Sequence, residues 1–289
     1  RGNHVLYEDE MNHEAQRRLA LDRELRHALA NDQFVLHYQP QLHLGTNRIV
    51  GAEALLRWQH PQRGLVSPAH FVSFAEETGQ IEQIGDWALR TAAAQFVAWK
   101  AQGLPIDHIS VNVSPRQFRQ KDFAARVARA IEDTGISPRE LRLEITESVL
   151  LDNEDSAAAT LERLRELGTP LELDDFGTGY SSLAYLQHLP VSTIKLDRSF
   201  IRDVARNRNA QAVVRAAISM VHALNKQILV EGVELPEQAA LLRSWGCDAV
   251  QGFHVSKPLA PAQFAAFVDE HDYTNRVARR GLGRLAVAS

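Results

Sequence analysis

Two adjacent carboxylates, Asp174 and Asp175, close a short apolar run and are followed at once by Phe176, Gly177, Thr178 and Gly179. Residues 169–173 (Thr-Pro-Leu-Glu-Leu) read as a strand and the glycines as a turn, so the two acids stand at a strand end. Neighbouring carboxylates repel one another, and cations placed between them relieve the repulsion. The chemistry on offer is a metal site. An isolated Asp-Asp-x-Gly is an ordinary acidic turn, since Asp and Gly are common turn residues. The rest of the chain changes that balance.

Further polar groups fall at or near the ends of other strand-like runs: Glu53, Asn112, Glu144, Lys195, Glu231 and Gln251. Taken singly, each has a plain explanation: Glu53 a rim charge, Asn112 a cap, Lys195 a solvated base, Glu231 an acid leading into a helix. Taken together they do not. Four carboxylate-bearing strands aimed at one point repel strongly unless divalent cations compensate them, and Asn112 adds a neutral oxygen ligand that hard metals accept. The twelve histidines show no zinc-type spacing. Oxygen ligands and a hard metal are therefore expected.

The elements that must gather these groups follow from periodicity. A helical face runs through Met11, Ala15, Leu19, Leu25, Ala28 and Leu29. Residues 34–42 then alternate as a strand, and Gly45-Thr46-Asn47 turns the chain into a second strand over 48–58, which makes a hairpin. Beyond it helices and strands alternate. Helices are expected over 68–78, 82–102, 121–134, 155–167, 208–225, 236–245 and 261–270, with Gly135 and Gly168 as stops. Strands are expected over 108–113, 141–146, 170–174, 192–197, 227–231 and 248–251. Eight strands mostly separated by helices predict an α/β fold, a TIM-like (β/α)8 barrel, more than an open sheet. In such barrels reactive groups come from the C-terminal strand ends. Seven of the eight strands supply one here.

Composition agrees with one barrel-sized domain: 289 residues at 45% hydrophobic can bury a large core, although length alone also allows two small domains. The 32 basic and 36 acidic residues leave a net charge of -4, which argues against a general binder of long nucleic acid. A small anionic ligand remains compatible. With Cys247 as its single cysteine the chain forms no intrachain disulfide, which suits a reducing compartment. No signal peptide is apparent, and no apolar run reaches the roughly eighteen residues needed to span a bilayer. A soluble, cytoplasmic chain is expected, cut from a longer protein because it starts at Arg1 with a polar opening.

With these residues assembled, the sequence resembles the EAL-domain family of cyclic di-GMP phosphodiesterases. The resemblance is carried by Glu53-Ala54-Leu55-Leu56-Arg57-Trp58, by Val111-Asn112-Val113-Ser114 with Arg116-Gln117-Phe118, and by Glu144-Ile145-Thr146-Glu147-Ser148. It continues through the aspartate loop, Ile194-Lys195-Leu196-Asp197-Arg198-Ser199-Phe200, Glu231-Gly232-Val233-Glu234 and Gln251-Gly252-Phe253. Coverage extends over about 21–268. Residues 1–19 resemble the tail of a GGDEF-type domain and its connecting helix, which implies an upstream signalling domain in the same polypeptide. The expected division is a linker helix over 1–20, the barrel over 21–270 and a tail over 271–289.

The resemblance implies a barrel with an antiparallel first strand, which accounts for the hairpin. It implies metal ligands at Glu53, Asn112, Glu144, Asp174 and Asp175, with Glu231 at or next to the second of two ions. Lys195 matches the lysine beside the attacking water, Glu147 the glutamate that anchors the loop after the aspartates, and Gln251 a further site residue. Gln39, Leu55, Arg57, Asp197, Glu234 and Phe253 fall where relatives contact the dinucleotide. The implied cofactors are two Mg²⁺ or Mn²⁺ ions, with Ca²⁺ inhibitory; the implied product is linear pGpG; and the implied assembly is a homodimer. Ser192, where Asp is common, and Glu172, where a small residue is usual, depart from the family pattern without removing a ligand. Two rivals stand beside the enzyme: a catalytically silent cyclic di-GMP receptor, and a partner-binding barrel.

Glu172 carries one more expectation. Strand alternation turns it to the same side as Asp174, into the barrel, where a bare carboxylate is costly. Arg142 precedes Glu144 by the same two residues. If the two strands lie side by side in matching register, Arg142 and Glu172 form an ion pair inside the barrel. Leu141, Leu143, Leu171 and Leu173 then face the helices.

Overall fold

A computed structural model describes residues 2–147, 149, 154–177, 186, 187 and 189–286. The chain opens with helix α1 (Gly2–Ala30) and the hairpin β1 (Phe34–His43) and β2 (Arg48–His60), followed by a short strand β3 (Gly64–Val66). Helices α2 (Val72–Thr78) and α3 (Ile81–Ala101) lead to β4 (His108–Asn112). Then come α4 (Pro115–Phe118), α5 (Phe123–Thr134), β5 (Leu141–Thr146), α6 (Glu154–Leu167), β6 (Leu171–Phe176) and β7 (Val191–Leu196). The series ends with α7 (Arg208–Ala223), β8 (Gln227–Val230), α8 (Pro236–Ser244), β9 (Ala249–Val250) and α9 (Pro261–Ala286).

Strands β2, β4, β5, β6, β7, β8 and β9 pair in parallel in that order, and β1 closes the ring by pairing antiparallel with both β2 and β9. The expected eight-stranded barrel with an antiparallel first strand is what forms. Not anticipated is β3, which folds back on the end of β2 outside the ring. A three-residue strand is too short to show a period. The short α4 is likewise new. Its start is local chemistry: the Ser114 hydroxyl accepts from the Gln117 N–H at 3.2 Å, and the Gln117 carbonyl oxygen accepts from the Ser114 N–H at 3.3 Å.

The apolar core fills the layer between barrel and helices. Leu141, Leu143, Leu171 and Leu173 are all buried there with Phe96, Val127, Leu161 and Ile218 from the helices, as strand alternation requires. Each buried leucine contributes roughly 1.5–3 kcal/mol. Ring closure also uses aromatics: Tyr38 of β1 packs edge-on against Trp99 at 4.7 Å, and Trp99 stacks on Phe264 of α9. A smaller second core (Leu25, Ala28, Phe34, Trp58, Phe71, Ala75, Ile81 and Ile84) seals the end of α1 against the hairpin and α2–α3. Helix α1 is continuous through residue 20 and α9 through residue 270, so neither expected division falls at a break in secondary structure.

Candidate active site

The C-terminal ends of the parallel strands converge on the ammonium of Lys195, which is 0% exposed. Its Nζ lies 2.6 Å from Glu144 Oε2, 2.6 Å from Glu231 Oε1, 3.3 Å from Asp174 Oδ1 and 3.7 Å from Glu53 Oε2. Four strand ends thus meet at one cation. Strand alternation explains the placement: Ile194 and Leu196 join the apolar layer, so Thr193 and Lys195, which alternate with them, turn inward. Glu53 is held by two amides. Asn112 Nδ2 donates to its Oε1 at 2.6 Å, while Gln251 Nε2 donates both to its Oε2 and, at 3.1 Å, to Gln39 Oε1. Glu231 and Gln251 sit just past β8 and β9, each tied back by its N–H, to Leu196 and Val230 respectively.

Asp175 breaks the strand geometry. A regular strand sends successive side chains to opposite faces, but Asp175 has φ 54°, a left-handed conformation that Asp tolerates better than most residues. Its N–H donates to Asp174 Oδ1 at 3.0 Å. The turn continues at Gly177, with φ 93°, where an added Cβ would come within 2.5 Å of the Phe200 ring. The Gly177 N–H donates to the buried Glu147 Oε1 at 3.1 Å, at the start of this loop. Residues 178–182, and with them the homodimer contacts that the family resemblance implies for this loop, lie outside the described residues. Glu147→Ala removes the acceptor under a strained turn and is expected to lower hydrolysis about tenfold by loosening Asp175, at the cost of one hydrogen bond's worth of order. Unchanged rate and metal dependence in that variant would mean that Glu147 anchors nothing.

Crowding sets the electrostatics. Burial pushes Glu231 up to about 8 against the pull of Lys195, and burial followed by the charge of Glu53 lifts Glu144 well above its usual value. Burial and the Asp174 charge raise Asp175. Burial works against the Lys195 ammonium, but Glu144, Glu231, Glu53 and Asp174 outweigh it and hold the lysine charged. The two raised glutamates make folding stability depend on pH. A carboxyl whose folded pKa is raised stabilises fully below its unfolded pKa near 4.5 and loses that contribution as pH climbs through the folded value. Buried His108, held neutral with a pKa of about 3, acts in the opposite sense, but only below its unfolded pKa of 6.5. In chelator, thermal stability should therefore fall between about pH 6.5 and pH 8, and Mn²⁺ should raise Tm more at the upper end, where it no longer competes with protons. A Tm that rises across this window in chelator contradicts the assignment.

The donor set suits hard cations. Glu53, Glu144, Asp174, Asp175 and Glu231 present carboxylates against one ammonium, and buried Glu144 Oε1 has no hydrogen-bond partner. Among the described residues no three acids or histidines already surround a metal-sized point, because the acids lean on Lys195. All-oxygen donors, an excess of negative charge and an orphaned carboxylate oxygen together fit a hard divalent cation.

The residues expected to touch a dinucleotide lie around this centre. Gln39 is inside the network through Gln251. Arg57, half-buried, donates to the Leu56 carbonyl at 2.7 Å and has its pKa lowered by burial. Leu55 and Asn112 line a cavity of about 300 Å³ between β2, β4, α2 and α3. Asp197 accepts from the Ser199 N–H at 2.9 Å. Glu234 and Phe253 lie outside the hydrogen-bonded cluster, on the loops after β8 and β9, and the Phe253 ring is 56% exposed with Lys257 Nζ 5.5 Å from its centroid. Sequence reading placed Lys195 beside a water and missed its contacts with four acids; the inward alternation of Thr193 and Lys195 was the available signal.

Below this layer, Arg142 Nη1 reaches Glu172 Oε1 at 2.8 Å, and the Ser110 hydroxyl donates to Glu172 Oε2 at 2.8 Å. The pair forms, but not by matching register. Glu172 lies opposite Glu144, and Arg142 opposite Ser110. Strands in a barrel tilt, so residues at one height are staggered along the ladder, and the long guanidinium spans the step.

A closed barrel whose C-terminal mouth gathers acids, two amides and a buried lysine presents an oxygen-rich donor set of the kind that hard cations take. A family model described as the EAL domain matches residues 22–258, and the chain belongs to that family. It is 41% identical over 268 residues to the bifunctional diguanylate cyclase/cyclic di-GMP phosphodiesterase MucR of Pseudomonas aeruginosa, which covers 93% of this chain and 39% of MucR. It is 41% identical over 254 residues to the cyclic di-GMP phosphodiesterase NbdA of the same organism, covering 88% of this chain and 32% of NbdA. The chain thus spans between about a third and two-fifths of these curated relatives. Among solved structures, the c-di-GMP complex of the PaMucR phosphodiesterase superposes with a TM-score of 0.81 at 41% identity, covering 85% of this chain and 99% of that one. No helix among the described residues is long and apolar enough to cross a membrane.

Proposed function

We propose that this chain hydrolyses cyclic di-GMP to linear pGpG with two Mg²⁺ or Mn²⁺ ions. The observation that carries the reading is the ring of Glu53, Glu144, Asp174 and Glu231 around Lys195 at the mouth of the barrel. When bound, a pair of such ions supplies a hydroxide nucleophile at neutral pH and charge for the phosphate and departing 3′ oxygen. The chain does the rest. Asn112 and Gln251 fix both oxygens of Glu53, so that ligand needs no reorganisation. Lys195 keeps its proton among the acids and offsets charge that grows on the phosphoryl oxygens as attack proceeds. Phe253 offers an exposed ring for a guanine to stack on, and Gln39, Arg57, Asp197, Glu234 and Leu55 supply polar and apolar contacts to the dinucleotide. Ca²⁺, which prefers longer and looser coordination, is inhibitory in this reading.

The part of helix α1 within residues 1–20 belongs to the linker from an upstream signalling domain, and the protein works as a homodimer. Incubation of the purified chain with cyclic di-GMP and Mn²⁺, read by chromatography, tests the reading directly. Formation of pGpG that stops in chelator supports it. Binding without turnover assigns a receptor, and neither binding nor turnover assigns a partner-binding barrel.

A further inference from the structure

The loop that joins β9 to α9 is gripped from two sides. The Val233 N–H, in the loop after β8, donates to the Gln251 carbonyl at 3.1 Å, and the Val233 carbonyl accepts from the His254 N–H at 2.9 Å. Gly252 permits this approach, because a Cβ there would collide with the Val233 backbone. Its carbonyl accepts from the Val255 and Ser256 N–H groups at 3.0 and 3.1 Å, which closes a tight turn. From β1, Gln39 Nε2 donates to the Ser256 carbonyl at 3.1 Å, and Tyr38 and Leu259 exchange backbone hydrogen bonds of 2.7 and 2.9 Å. Gln39 Oε1 accepts in turn from Gln251, the amide that holds Glu53. The loop is therefore a fixed platform beside the acids.

Two exposed side chains stand together on it. The Phe253 ring is 56% exposed, and the ammonium of Lys257, itself exposed, lies 5.5 Å from the centre of that ring. Among the described residues this ammonium has no hydrogen bond and no ion pair. A ring of this kind stacks on any nucleobase, since every base has a π-face, and so does not choose between them. A hydrogen-bond donor at the side of the ring does choose. Guanine carries two neighbouring acceptors, N7 and O6, on one edge, whereas adenine sets N7 beside the N6 amino group, which donates. An ammonium has donors only, on a flexible stem that can follow the edge of a stacked base. It bonds both atoms of guanine, but on adenine it finds one acceptor and faces an N–H.

We propose that Lys257 makes this site select guanine over adenine, by donating to N7 and O6 of the base that stacks on Phe253. Such selection rests on cyclic di-GMP as the substrate and supplies the physical ground on which cyclic di-AMP is refused. Gly252, Gln39 and Ser256 serve it by fixing the loop, so that ring and ammonium are in place before the dinucleotide arrives.

Dissociation constants for cyclic di-GMP and cyclic di-AMP, measured by calorimetry in Ca²⁺ to hold turnover back, test this. The wild-type chain should prefer cyclic di-GMP. Lys257→Met should cut the ratio of the two constants about tenfold, and Lys257→Arg, which keeps donors for the same edge, should retain it. The ratio is decisive, because losing a positive charge near two phosphates, or disturbing the loop, weakens both dinucleotides alike. Cyclic di-IMP keeps N7 and O6 but lacks the N2 amino group, and Lys257→Met should weaken its binding by the same factor as that of cyclic di-GMP. An unchanged ratio in Lys257→Met, unchanged binding of cyclic di-IMP by that variant, or a wild type that holds both dinucleotides equally overturns the assignment. A wild type that binds neither overturns it together with the substrate. Selective binding through Lys257 without hydrolysis in Mn²⁺ leaves the selection standing and overturns the hydrolase alone.

Discussion

Asp174→Asn is expected to abolish hydrolysis of cyclic di-GMP, lowering kcat by about 10³ or more, while leaving the fold intact. The two side chains have the same shape. Asp174 Oδ1 accepts from the Asp175 N–H at 3.0 Å, and an Asn carbonyl oxygen keeps that bond. What disappears is the negative charge 3.3 Å from Lys195 Nζ, on a strand end shared with the adjoining carboxylate of Asp175. Under the proposed mechanism Asp174 would be one of the residues that hold the ions, so its loss would weaken both the activation of water and the charge stabilisation they would supply. The folded protein should be no less stable without metal, because one charge leaves a crowded cluster. Chromatographic assay with Mn²⁺, alongside thermal melts in chelator, separates the two effects. Undiminished turnover by this variant, or by the wild type in excess chelator, sinks the two-metal proposal.

The second large effect is on stability. Glu172→Ala should cost on the order of 3 kcal/mol, the lower end of the range of roughly 3–5 kcal/mol for breaking a buried ion pair. Glu172 is 0% exposed and carries two hydrogen bonds, from Arg142 and Ser110. Truncating it leaves the guanidinium without its counterion and Ser110 without its acceptor. The Arg142 side chain is 21% exposed and lines a cavity at the N-terminal ends of the strands, so some solvent relief keeps the cost from the top of the range. Burial alone would raise the Glu172 pKa, yet Arg142 carries it below the usual carboxylate value. Its contribution is therefore present above the unfolded pKa near 4.5 and is lost as pH falls through the folded value. Replacing both partners, as Glu172→Leu with Arg142→Met, should cost less than the single change because no charge is stranded. Urea unfolding of the three variants measures the difference. An unchanged midpoint for Glu172→Ala would show that the pair contributes nothing.

The site was more legible than its wiring. Glu53, Asn112, Glu144, Asp174, Lys195, Glu231 and Gln251 could be placed at strand ends because helix and strand periods are local, and the barrel rule then sends those ends to one mouth. The motifs around them, read as a family resemblance, extended this to Glu147, whose bond to the Gly177 N–H needs no more than a loop that follows the strand. Boundaries of the longer elements were close for the same reason, as with β5 over Leu141–Thr146. Short pieces such as β3 and α4 escaped, since three or four residues carry no period.

By itself the sequence determined the alternation of strands and helices, the apolar layer around the ring, the acids and lysine at the strand ends, and the inward turn of Glu172. Those follow from side-chain type and spacing along a single segment. Tertiary structure alone decided which inward groups meet. The stagger between tilted strands sets Glu172 opposite Glu144 and yet within reach of Arg142, makes Lys195 the meeting point of four acids, and lays the His108 ring over Gly51. Height around a closed barrel is a property of all eight strands at once, fixed by their common tilt and shear, and no one segment records it.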